Sequence, residues 1–233
     1  PARFSAPTNP VEDLYAAQGA PWRVNNLPAD PAYAGDLARL RAELDRQMRA
    51  AADLGLLPEH EMHLRSAGST PYEIATDPGL NPFDELRRAA DLANAMDPRH
   101  LDALTDLLRH TDSAVRWWGA VGLLSLGDEA APARAALLDT PGDPSPDVRI
   151  AAAEALVTLG ASDQALPVLA DTLHLNAVFV RLSALNAALR LGPLARPLLP
   201  VIAQAKIAAP DQKDTADYVG RMVDYLPGRI GNL

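Results

Sequence analysis

The sequence predicts a mostly α-helical chain, an α-solenoid of helical hairpins preceded by a short strand/turn segment and a long helix. Two observations carry this. Three segments, "DSAVRWWGAVGLLSLG", "SPDVRIAAAEALVTLG" and "AVFVRLSALNAALRLG", align without gaps, their valines (115, 148 and 180) spaced 33 and 32 residues apart. Shorter helical runs, such as "PRHLDALTDLLRH" and "QALPVLADTLHL", fall between them, so each unit reads as a two-helix hairpin.

From the N-terminus, Val11 to Pro31 ("VEDLYAAQGAPWRVNNLPADP") fits neither the strand nor the helix period, because Gly19, Pro21, Asn25, Asn26 and Pro28 interrupt it. Asp30-Pro31 then gives an N-cap and a first-turn proline, opening a helix expected to reach Leu54 with Gly55 at its end. Leu37, Leu40, Leu44, Met48 and Ala51 form one apolar stripe on it. In "STPYE", Thr70 and Glu73 have the capping-box spacing around Pro71. From Asn81-Pro82 the chain enters "FDELRRAADLANAM", an amphipathic helix placed as the leading cap of the stack. The expected organisation is residues 1–65, a linker at 66–82 with its boundary near Pro78 to Pro82, and repeats over 83–233.

Within each repeat a small residue follows the Val by four (Gly119, Ala152, Ala184) and by seven (Gly122, Ala155, Ala187). Leu follows at eleven and Gly at twelve (127, 160, 192). Offsets of four, seven and eleven share a helical face, where small residues admit a close neighbour and the glycine ends the helix. The pattern resembles HEAT repeats, whose "D-x-x-V-R" entry is complete at Asp112 to Arg116, displaced to Asp147 in the second copy and lost in the third. The last unit, "TADYVGRMVDYLPG", has Gly220 in place of the Arg and reads as a terminal cap. Arg116, Arg149 and Arg181 recur once per repeat. This suits a structural ladder onto neighbouring carbonyls or carboxylates; a row of anion sites is the alternative, and the HEAT resemblance favours the ladder.

Residues 3–65 are similar to the C-terminal end of bacterial sulfatases of the alkaline-phosphatase-like superfamily. Glu12, Leu14 and Tyr15 match an "E-E-L-Y-D" strand, Pro21, Asn26 and Leu27 a following turn, and Leu37, Leu40 and Leu44 a closing helix. Ala16 and Ala20 stand where aspartates are expected, and Arg23 where an acidic residue is. The resemblance implies a parent enzyme that uses a formylglycine and a divalent metal such as calcium, in the periplasm or outside the cell. It carries no catalytic, cofactor-binding or metal residue onto this chain, which has no Cys and no Ser-x-Pro/Ala-x-Arg. The expected partner is then a catalytic domain of the same protein upstream of Pro1, with a homo-oligomer also open; the alternative is a self-contained HEAT-type scaffold.

Composition bounds the rest. The net charge is −9, with 7 Lys/Arg against 11 Asp/Glu over 1–82 and 14 against 19 over 83–233. Without a basic excess, nucleic-acid binding is not expected, and this weighs against a third reading, a basic HEAT-like DNA-repair enzyme. Without an apolar run near the ~20 residues that span a bilayer, neither is membrane insertion. "HEMH" sets His60 and His63 three apart, one short of a zincin, and reads as a surface turn. His100, His110 and His174 read as helix-end residues, and "TPGDPSPD" (Thr140 to Asp147) as a chain reversal. Trp117 and Trp118 point ~100° apart on a helix, so one can pack in the core while the other meets a partner.

Overall fold

The structure is a computed structural model that describes residues 10, 12–16, 25–206 and 218–231, with the backbone alone at 213–217. Pro21, Ala20 and Arg23 lie outside the described residues. The chain divides into two compact units, residues 1–53 and 54–233. Among the described residues there is no strand.

In the first unit, residues 12–16 are held without a β-ladder. The Leu27 amide donates to the Leu14 carbonyl at 2.9 Å. Asn26 does the rest: its Oδ1 accepts from the Leu14 amide at 2.8 Å, and its Nδ2 donates to the Glu12 carbonyl at 2.9 Å. One side-chain amide thus supplies the donor and acceptor of a missing strand, which explains the Asn-Leu pair. Asp30 caps the Ala32 amide, and helix α1 follows over Ala34–Ala50. It ends earlier than the sequence predicts. Ala52 takes the left-handed position (φ 50°), and the Ala52 and Asp53 amides bond to the Arg49 and Met48 carbonyls, the two bonds of a Schellman motif. No residue of α1 is buried; Leu40 and Leu44 are 43% and 56% exposed.

The second unit contains α2 (Glu59–Arg65), α3 (Pro71–Ala75), α4 (Phe83–Asn94), α5 (Leu101–Leu107), α6 (Ser113–Leu126), α7 (Arg134–Leu138), α8 (Pro146–Thr158), α9 (Ser162–His174), α10 (Val178–Leu191), α11 (Leu199–Ile202) and α12 (Lys213–Ile230). Helices α4, α6, α8, α10 and α12 lie side by side in that order, while α5, α7 and α9 pack against them as a second layer continued by α11. This is an α-solenoid. The expected linker takes a different form: Ile74 of α3 and Leu57 are buried with Leu86, Ala89, Ala114 and Val115, so residues 54–82 belong to the repeat unit. The Thr70–Glu73 capping box is complete.

The small positions are close approaches. A Cβ added at Gly119 would fall 2.8 Å from Leu107 Cβ and 2.9 Å from the Leu104 carbonyl oxygen. Ala152, Ala155, Ala184 and Ala187 are buried at the equivalent places. Gly127 and Gly192 end their helices at φ 56° and 55° with ψ near −130°, outside the left-handed helical region the pattern predicts and open essentially to glycine alone.

One sequence expectation needs correction. Val178–Ile202, 25 residues of mean hydropathy 1.2, is by length and composition apolar enough to cross a membrane. Here it forms α10, a 3-10 segment and α11, with Val180, Ala184, Leu185 and Ile202 in the repeat core. Just under half of its most apolar window is buried in that core.

Candidate functional site

Helix α2 crosses the starts of three successive helices of the α4–α12 layer. Its Arg65 meets Asp112, the residue whose carboxylate caps the Ala114 and Val115 amides of α6. Its Glu61, only 4% exposed, accepts from Arg65 and from the Ser145 hydroxyl at the start of α8. Its His63 ring stacks on Phe179 of α10, centroids 4.4 Å apart. "HEMH" is therefore a packed helix instead of a surface turn. Among the described residues no group of three or more metal-ligating side chains is brought together.

The repeated arginines differ in their contacts. Arg116 donates to the His110 and Thr111 carbonyls and pairs with Asp143 of the next unit at 2.7 Å. Arg181 donates to the His174, Leu175 and Ala205 carbonyls. Arg149 lacks such bonds, and its buried Nε has no partner. The loop "TPGDPSPD" thus supplies Asp143 to Arg116 and Ser145 to Glu61, besides reversing the chain.

Next to this network lies a groove of about 320 Å³. Trp117 and Val121 of α6, Asp147, Ile150 and Glu154 of α8, and Asn186 and Arg190 of α10 line it, with Leu57 and Pro58 at one side. Trp118, edge-on to Trp117, turns the other way and donates its indole N–H to the Leu56 carbonyl at 2.9 Å. Glu154 is buried and closed off by Arg190, whose Nε and Nη2 donate to its two oxygens at 2.6 and 2.5 Å. Asp147 has no such cation: it is likewise buried, at 4% exposed, and its buried Oδ2 has no partner. Burial, reinforced by the nearby Glu61 carboxylate, pushes its pKa up to about 7, against the bond from its own backbone amide.

The sequence pointed to Trp117, gave Glu61 and Asp147 other roles, in "HEMH" and as a displaced repeat position, and did not single out Glu154 or Arg190. One trace was visible: the acidic residue of the second repeat sits two places late. Aligning the valines puts Ser145 at the N-cap and Asp147 inside the first turn, on the groove wall.

A family model described as HEAT repeat matches residues 136–162, from within α7 to the start of α9. The chain carries a HEAT repeat. It is also 36% identical over 73 residues to a protein of Formosa agariphila named Ulvan-active sulfatase. That stretch is 31% of this chain and spans 12% of the length of that relative. No solved structure matches.

Proposed function

We propose that this chain is a non-catalytic C-terminal part of a sulfuric-ester hydrolase. In this reading α1 closes onto a catalytic domain, and the solenoid serves packing, oligomerisation or capture of a partner. The observation that carries the proposal is the 36% identity to a sulfatase. The fastening of Glu12 and Leu14 by Asn26 supports it, since these residues carry the resemblance to a sulfatase end and are hydrogen-bonded as a unit. So does the apolar stripe of α1, where Leu40 and Leu44 stand exposed as a face to be covered would. The formylglycine and metal of such an enzyme would belong to the catalytic domain.

Two measurements test this. The coding frame upstream of Pro1 is expected to contain a Cys- or Ser-x-Pro/Ala-x-Arg signature; an upstream frame without one overturns the reading. Purified 1–233 with calcium is expected to release no sulfate from 4-nitrophenyl sulfate, and sustained turnover would place the chemistry in this chain after all.

A further inference from the structure

The groove between α6, α8 and α10 holds an unfinished interaction. Of its two buried carboxylates, Glu154 is matched by Arg190, whereas Asp147 Oδ2 has no donor. The two lie seven residues apart on one face of α8, about 10 Å along its axis. The matched pair therefore leaves the Asp147 end free of its own cation. A buried carboxylate oxygen without a donor costs free energy that an incoming donor recovers.

We propose that this groove receives the side chain of a lysine presented by a protein segment, with its ammonium at Asp147 and its aliphatic stem along Trp117, Val121 and Ile150. The chemistry narrows the occupant. An anionic or sulfated ligand would find Arg190, the cation on this wall, already bonded through two nitrogens to Glu154, with the carboxylate of Glu59 beside the way in. A bare divalent ion would find no cluster of three ligating groups among the described residues. A guanidinium prefers two parallel acceptor oxygens, and the backbone amide of Asp147 already bonds to its carboxylate, leaving one. An ammonium needs only one strong acceptor, and Trp117 on the groove wall offers its aliphatic stem an apolar surface. The residual charge on Asp147 is protonation-dependent, so the arriving cation also draws the carboxyl to its ionised form.

The inference rests on the capture role proposed for the solenoid and is independent of the sulfatase relation. Its test is an NMR titration of the ¹⁵N-labelled 1–233 chain with the peptide acetyl-Gly-Ser-Lys-Ser-Gly-amide, the same peptide with Gln for Lys, and n-butylammonium. The lysine peptide is expected to shift the Trp117 indole and the amides of 145–151, the glutamine peptide to leave them in place, and n-butylammonium to bind more weakly. Asp147→Asn, which keeps the shape and removes the charge, is expected to weaken the lysine peptide about tenfold or more while the rest of the spectrum is retained. Equal response to both peptides, an unmoved groove, or an unaffected Asp147→Asn variant would overturn the proposal. So would equal affinity for n-butylammonium, which would make the site one for a bare amine. Shifts confined to other helices would sink the groove but leave the capture role standing.

Discussion

The Ser145 hydroxyl donates to Glu61 Oε1 at 2.9 Å, joining two buried side chains 84 residues apart. Ser145 holds the N-cap position of α8 yet makes no capping bond with its side chain. Its hydroxyl is committed to the carboxylate.

Removing that donor is expected to hurt. Ser145→Ala leaves Glu61 with Arg65 alone in a buried place, at a cost of about 1–3 kcal/mol. Denaturant unfolding of the variant should show a lower midpoint with an unchanged slope. An unchanged midpoint would mean that Glu61 finds another donor.

Asp147 makes stability depend on pH in a stated direction. Its folded pKa of about 7 lies above the ordinary 3.8. Between about pH 4 and 7 the folded chain keeps a proton that the unfolded chain has released, so this group's contribution falls as pH rises. Asp147→Asn removes that slope. Relative to wild type the variant should gain up to a few kcal/mol between pH 4 and pH 8, read as the difference between the two stability–pH curves. Parallel curves would refute it.

Two glycines in helices should respond oppositely to alanine. Gly119→Ala forces a methyl against Leu107 Cβ and the Leu104 carbonyl, neither the end of a flexible chain, and should destabilise by about 1–3 kcal/mol. Gly220 in α12 has nothing within 4 Å of an added Cβ, so Gly220→Ala should stabilise by about 0.5–1 kcal/mol. Thermal unfolding of both variants checks the pair.

In the first unit, Asn26→Ala removes both side-chain bonds to residues 12–14. Amide exchange at Leu14 should then accelerate, and at Leu27 as well if its bond depends on that clamp. Unaltered exchange at Leu14 would show that Asn26 is dispensable.

The solenoid was legible because its determinants are periodic: a Val, two small residues and a Gly recur at fixed offsets, and close packing requires each of them locally. The capping box at Thr70 was legible because its two residues lie three apart in one short stretch. The role of α2 was not. Glu61, Arg65 and His63 act on residues 84, 47 and 116 positions away, and nothing in "HEMHLR" names those partners. The groove was hidden likewise, since Asp147 gains its character from burial beside Glu61 rather than from its neighbours in sequence. Ala52 misled in a smaller way: the left-handed residue ending α1 is an alanine, where Gly55 looked the natural stop.

Stacked hairpins left to themselves flex like a spring, since each rung touches only the next. Helix α2 lies across three of them as a strut, fastened by an ion pair at the first rung, a hydroxyl–carboxylate hydrogen bond at the second and ring stacking at the third. That rigging fixes the arc of the middle of the stack, and with it the width of the cleft between α6 and α10.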